Sequence, residues 1–221
     1  MLEDKYRNFE PLLHGLVHEL RNPVQGLLAS ADALRCMHEE NATTGQLLGM
    51  IQQECVRINQ LLTDLLDLAR PVDINRTKSE SLSRVVEESI RDFQKRNASV
   101  QLTTQISSGL HALPMDQASM RRAILAILQN SGESKQNDVS IRVISEQLDH
   151  ELRFRFEDNG DGISPEDLEH VMKPFFSTRP KKAGLGLSIA ERIVRSHGGE
   201  LQIESIGEGG TAVTIRFPVP E

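Results

Sequence analysis

ELQIESIGEGGTAVTIRFPV, residues 200–219, is two alternating apolar/polar runs around a glycine-rich break. ELQIESI and TAVTIRFPV read as strands, and GEGG between them supplies the turn residues of a hairpin. Just upstream, LSIAERIVRSH (187–197) has the three- and four-residue apolar spacing of a helix. The same grammar recurs toward the N-terminus. DVSIRVIS (138–145) and ELRFRFED (151–158) alternate, SMRRAILAILQNSGES (119–134) is helical, VQLTTQI (100–106) alternates, and SLSRVVEESIRDF (81–93) is helical. Helices mixed with strands, both strand pairs able to close as hairpins, predict an α+β two-layer sandwich with helices on one sheet face.

Before Pro71 the period is different. Leu12, Leu16, Leu20, Val24, Leu27, Ala31 and Leu34 form one helical stripe. The polar NATTGQ (41–46) reads as a turn, and a second, nearly heptad stripe follows: Ile51, Cys55, Ile58, Leu62, Leu65 and Ala69, ending at Arg70-Pro71. An antiparallel α-helical hairpin results, and because a lone hairpin cannot enclose both stripes, it is expected to form a dimeric four-helix bundle. Packing onto the second half of the same chain is the alternative. The boundary falls near 71–77, separating a unit at 1–72 from one at 73–221.

The 221 residues carry a net charge of −7 without a long Lys/Arg run or Arg/aromatic interleaving, so direct nucleic-acid binding is not expected. Cys36 and Cys55 lack a CxxC pattern and read as reduced, packed thiols suited to the cytoplasm. No apolar run approaches the ~18–20 residues that span a bilayer, so these residues are expected to make no membrane contact.

One stretch of the helical half does not read as packing. In VHELRNPVQ (17–25), Pro23 interrupts a helical pattern at a cost of ~3 kcal/mol or more. His18 lies two residues after Leu16, about 200° round the helix from the apolar stripe, and so faces solvent. Glu19 adjoins it, and Asn22 is one turn further on the same face. A mid-helix proline needs a compensating reason, and a bent backbone beside an exposed imidazole points to function. His14, His38, His111, His150 and His170 have no such neighbours and read as ordinary surface histidines. His14 and His18 at i,i+4 are a weak zinc pattern, with no HExxH and no third ligand.

In the second half, Asp158-Asn159-Gly160-Asp161-Gly162 follows directly on a strand. A calcium loop with Gly162 sixth would need Glu at its twelfth position, where Leu168 stands. Glycines after a strand let a ligand approach the backbone, and a buried Asp158 can accept from an amino group such as adenine's. Gly184-Leu185-Gly186-Leu187 opens a helix, a setting that binds phosphate. The preceding KPFFSTRPKK (173–182) joins two phenylalanines to several cations, and no GxxxxGK[ST] occurs. Asn130, near the end of its helix, suits magnesium as an oxygen ligand; a helix-terminal polar residue is the bland alternative.

In this order the segments resemble the catalytic core of sensor histidine kinases of two-component systems, over nearly the whole chain. HELRNP is similar to the phosphoacceptor motif, QNSGES to the end of the asparagine box, DNGDGI to the adenine-binding box, PFFSTRP to the lid, and GLGLSIAERIVRSHGGELQIES to the final glycine box. The resemblance implies the GHKL-type fold, ATP and Mg²⁺ as cofactors, a homodimer, and a response-regulator receiver domain as partner. It implies that His18 takes the γ-phosphoryl of ATP, that Glu19 accepts the ring proton, and that Asn22 positions water for the reverse dephosphorylation. Asn130 would ligate Mg²⁺ and Asp158 would read adenine. Gly160, Gly162, Lys173, Thr178, Arg179, Gly184, Leu185, Gly186 and Leu187 would surround the nucleotide. The family often has a second asparagine where Ala126 stands, and Gly-Thr where Lys182-Ala183 stands. The chain is expected in the cytoplasm, alone or as part of a larger sensor. A non-catalytic phosphotransfer or docking protein with a degenerate ATP site is the alternative. A gyrase- or Hsp90-like ATPase would need a glutamate at Ala126.

Overall fold

The computed structural model describes residues 21, 24–34, 42–69, 79–135, 137–148, 150–179, 182, 184–207 and 209–219. His18, Glu19, Asn22, Pro23 and Cys36 therefore lie outside the described residues, as do His14 and His38. The chain divides into two compact units, Met1–Pro71 and Val72–Glu221.

In the first unit, helix α1 (24–34) runs beside helix α2 (Ala42–Ala69). Arg21 donates to Thr63 Oγ1 at 3.4 Å and Gln52 donates to Asp32, so the two run antiparallel. The segment expected as a turn needs correcting: 42–46 is already the first part of α2. Polar side chains do not themselves end a helix, and of these five residues only Gly45 carries a large propensity cost. The stripes also divide. Val24 and Ala31 of α1, with Leu48, Cys55 and Leu62 of α2, are buried within the hairpin at seven-residue spacing. Leu27 and Leu34, with Ile51 and Ile58, repeat at the same spacing but stay exposed. In a heptad pattern both apolar positions belong to seams between helices, so the exposed set is apolar surface that a further helix could cover.

The second unit is an α+β sandwich, as the alternating runs require. A short β1 (Ser79–Glu80) pairs antiparallel with β3 (Leu113–Pro114), flanking helix α3 (Leu82–Arg96) and strand β2 (Gln101–Gln105). Helix α4 (Gln117–Gly132), strands β4 (Ser140–Leu148) and β5 (Glu151–Asp158), a one-turn α5 (Pro165–Leu168), helix α6 (Gly186–Ser196), and strands β6 (Glu200–Ser205) and β7 (Thr211–Pro218) complete it. The main sheet has the order β2-β4-β5-β7-β6; β2 is parallel to β4 and the other pairs are antiparallel. The alternation of β5 is realised strictly: Leu152, Phe154, Phe156 and Asp158 face the core, while Glu151, Arg153, Arg155 and Glu157 face out. Helix α4 is the centre of the helical layer, packing on α3, α6, β4 and β5. Met120, Ile124, Ile127 and Leu128 carry that packing from α4, and Val86, Ala190 and Val194 meet it as buried residues of α3 and α6.

No described helix covers the other sheet face, yet Ala212 and Thr214 of β7 are buried there. Arg155 pairs with Glu157 and Glu204, Arg142 with Glu157, and Arg153 with Glu151. The aliphatic stems beneath these guanidinium groups provide the cover. Burial would raise the Glu157 carboxyl, but hydrogen bonds from Arg155 and Arg142 hold it below the ordinary glutamate value.

His197, which the sequence did not single out, ties the ends of the two central helices together. Its Nδ1–H donates to Ile193 O at 2.7 Å, closing α6, and its Nε2 accepts from the Asp116 amide at 3.0 Å, at the start of α4. That pair of bonds requires the neutral ring. Burial holds its pKa below the ordinary histidine value, against the Ile193 carbonyl and the Asp116 carboxylate, which favour the charged form. A depressed folded pKa means stability that is complete above the unfolded value of about 6.5 and is lost as pH falls toward the folded one. Thermal unfolding should therefore show a stability loss as pH falls below the ordinary histidine value of 6.5 that His197→Gln removes. Equal pH slopes for the two proteins would contradict this assignment.

Candidate active site

The C-terminal end of α4 is where the second unit gathers its chemistry. Apolar residues place α4 flat on the sheet, so its last turn, carrying Asn130 and Ser131, emerges beside the end of β5. There Asp158 is buried, Oδ1 accepting from the amides of Gly160 at 2.9 Å and Thr211 at 3.3 Å. No hydrogen bond reaches its buried Oδ2, and the buried Ser131 and Ser134 hydroxyls, which form none either, stand close enough to favour the charged carboxylate. Buried polar groups in folded proteins are nearly always satisfied, so three orphans together call for a donor-bearing ligand or ordered water. Burial raises the Asp158 carboxyl above the ordinary aspartate value, while the Gly160 amide, the two serine hydroxyls and the Thr211 amide oppose the rise.

The glycines around it have particular reasons. A Cβ on Gly160 would collide with the Ser134 side chain, so only glycine lets the β5 loop close against α4. Gly162 takes φ +76°, and the next amide, Ile163 N–H, donates to Ser205 Oγ at 3.0 Å, fastening this loop to the end of β6. Asn159 braces its other side by accepting from the Ser140 amide at 2.8 Å. Among the described residues no group of three His, Cys, Asp or Glu side chains gathers for a metal.

The second glycine run adjoins the other side of α4. Gly184 has φ +66°, a Cβ there would strike the Phe175–Phe176 backbone, and its carbonyl accepts from Phe175 N–H at 3.0 Å. Gly186 starts α6, where a Cβ would come within 3.8 Å of Ala126 Cβ, so the helix start and the face of α4 one turn before Asn130 are neighbours. No described side chain caps α6. Among the described residues no side chain meets its first amides, which lie at the positive end of the helix dipole, a setting that suits an anion. Leu185 is buried, so it contributes packing and backbone; Leu187 is half-buried.

The segment between the two glycine runs is anchored unevenly. Arg179 Nη1 donates to the Asn130 carbonyl at 3.3 Å, so this guanidinium stands at the α4 terminus. Lys173, in contrast, contacts His170 Nδ1 at 2.8 Å, and Thr178 is exposed. His170 also meets the Phe176 ring edge-on at 5.7 Å, so it braces this segment, whereas the sequence suggested an ordinary surface histidine. His111 and His150 are exposed. Phe175 holds φ +66° while 64% exposed, an unfavourable conformation for a bulky residue.

Ser131, Ser134 and Thr211 belong to this site and were not foreseen. QNSGES placed both serines beside Asn130, but only the meeting of α4, β5 and β7 shows that they face Asp158.

Nucleotide chemistry fits this arrangement: an unpaired acceptor with two hydroxyls for a base, glycine backbone with helix-start amides for phosphates, and cations alongside. Comparison with known proteins agrees. Residues 11–74 match the His Kinase A (phospho-acceptor) domain, and residues 115–221 match the histidine kinase-, DNA gyrase B- and HSP90-like ATPase domain. Sporulation kinase D of Bacillus subtilis is 31% identical over 91% of this chain and 40% of its own length. The chain spans less than half the length of the curated relatives it matches. Among solved structures, full-length ShkA in complex with AMPPNP is similar with a TM-score of 0.79 at 19% identity, over 96% of this chain and 46% of that one. Histidine kinase ThkA in complex with response regulator protein TrrA is similar with a TM-score of 0.70 at 19% identity, over 99% and 64%. With a phosphoacceptor domain followed by the ATPase domain, the chain belongs to the sensor histidine kinases of two-component systems.

Proposed function

We propose that this chain phosphorylates His18 from Mg-ATP and passes the phosphoryl group to an aspartate of a response-regulator receiver domain. The observation that carries the reading is the orphaned Asp158 Oδ2, set beside Gly160 and the Ser131 and Ser134 hydroxyls. Asp158 would accept from the adenine amino group, Gly162, Gly184 and the first amides of α6 would receive the phosphates, and Arg179 would balance their charge. Asn130 would hold Mg²⁺, which supplies charge neutralisation on the phosphates. Lys173 and Thr178 take part only by leaving the positions described above.

A ring nitrogen of His18 then attacks the γ-phosphorus with its lone pair. The P–O bond to the β-phosphate breaks, its electron pair leaving with ADP, and the proton on the other ring nitrogen passes to Glu19. Asn22, four residues after His18 in the sequence, would hold water in line with a phosphorylated receiver aspartate, so dephosphorylation would proceed by positioning alone. The exposed heptad positions Leu27, Leu34, Ile51 and Ile58 favour a homodimer whose seam they form. A degenerate, non-catalytic docking protein has less support, because Asp158, Asn130 and both glycine pairs are kept in one site. The reaction belongs in the cytoplasm, in this chain alone or in a larger sensor; no described helix is long and apolar enough to cross a membrane.

The test is a two-step transfer. The chain incubated with γ-labelled Mg-ATP should acquire label, and adding a receiver domain should move that label to the receiver. α-Labelled ATP should leave no label on the chain. A folded chain that neither binds Mg-ATP nor acquires γ-label would support the docking-protein alternative.

A further inference from the structure

Glu133 is the residue at the site that neither the phosphoacceptor nor the nucleotide chemistry uses. It closes α4, its amide donating to Gln129 O at 3.2 Å. Its carboxylate meets two cations of the segment that precedes the second glycine run: Oε1 is 2.6 Å from Lys182 Nζ and Oε2 is 3.6 Å from Arg179 Nη1. Arg179 Nη1 donates in addition to the Asn130 carbonyl. That carbonyl is among the last four of α4, which have no partner inside the helix. Helix α4 has no basic residue of its own in its last turn. Arg179 and Lys182 therefore supply from outside the positive charge that a helix C-terminus favours, and Glu133 concentrates them there.

We infer that Glu133 is a positioning residue that restrains nucleotide binding, by holding on the α4 terminus the two cations that ATP phosphates would otherwise recruit. The inference rests on the ATP reading above and adds a competitor to it. The phosphate chain and the Glu133 carboxylate are both anions seeking the same guanidinium and ammonium groups. Arg179 can turn to the phosphates only by giving up both Glu133 and the Asn130 carbonyl. Restraint of this kind scales with phosphate charge and leaves recognition of the base untouched, because Asp158, Ser131 and Ser134 meet neither cation in any described contact.

Glu133→Gln keeps the size and hydrogen-bonding shape of the side chain and removes its charge. Two part-exposed ion pairs of ordinary strength correspond to Mg-ATP binding roughly three- to tenfold tighter in this variant by titration calorimetry. Adenosine affinity should not change. In an Arg179→Gln/Lys182→Gln background the same Glu133→Gln change should have no effect on Mg-ATP, as a double-mutant cycle requires. Unchanged or weaker Mg-ATP binding, equal tightening of Mg-ATP and adenosine, or persistence of the effect without the two cations would overturn the inference. Wild-type Mg-ATP binding and its loss in Asp158→Asn test the underlying ATP reading separately. If those hold while Glu133→Gln is silent, only the restraint is refuted.

Discussion

His18→Gln is expected to reduce γ-phosphoryl labelling of the chain to background while leaving Mg-ATP affinity unchanged. Glutamine preserves much of the polarity and bulk of the side chain, and at a position the sequence pattern reads as solvent-facing, stability should move by no more than about 0.5 kcal/mol. What it lacks is a ring nitrogen with a lone pair able to attack phosphorus. Glu19→Gln should behave differently, slowing labelling about 10²- to 10⁴-fold without abolishing it, the range for loss of a positioned proton acceptor. Filter-bound label measured beside nucleotide affinity separates chemistry from binding. Full labelling of His18→Gln would move the acceptor elsewhere in the chain.

The second large effect is at Asp158. Its Oδ1 already accepts from the Gly160 and Thr211 amides, and Oδ2 is the unpaired acceptor. In Asp158→Asn the single carbonyl oxygen must stay with those two amides, which puts the NH₂ group where Oδ2 was. A donor then faces the adenine amino donor, and ATP affinity should fall on the order of 10²-fold or more. Guanine presents a carbonyl at that place, so the ATP/GTP ratio should fall further than burial alone would dictate. A matching pH effect follows. Because burial raises the Asp158 pKa, protonation should weaken ATP binding as pH falls through a value above the ordinary aspartate range. Normal ATP binding by Asp158→Asn in calorimetry would remove Asp158 from the site.

How much of this was legible depended on whether the signal was local. The strands of the main sheet were, because one buried face imposes a period of two; residues 151–158 keep it without exception. The helical layer was legible for the same reason at the helical period. The two-residue β1–β3 ladder has no period to read. The start of α2 at Ala42 has no local signal, because polar residues suit a turn and an exposed helix alike and only backbone-breaking residues force an end. The buried and exposed halves of the heptad stripes looked alike, since an apolar residue does not record which neighbour covers it.

The site divides similarly. Asp158, Gly160, Gly162, Gly184 and Gly186 stood out because paired glycines beside a strand end or helix start weaken regular structure and are kept where the backbone must turn sharply or be approached closely. Ser131, Ser134 and Thr211 did not, because their meaning lies in facing one carboxylate from three elements. Glu133 with Arg179 and Lys182, and His197 with the Asp116 amide, are pairs separated by 46, 49 and 81 residues in the sequence, so no window along the chain contains them.

The most direct test of the account is the chemical identity and position of the transferred phosphoryl group. After reaction with Mg-ATP, the chain should yield a phosphoramidate that survives base and is lost in acid, and fragmentation under neutral conditions should place it on the peptide carrying His18. An acid-stable phosphoester on a serine, threonine or tyrosine, or a phosphohistidine at any position other than 18, would contradict it.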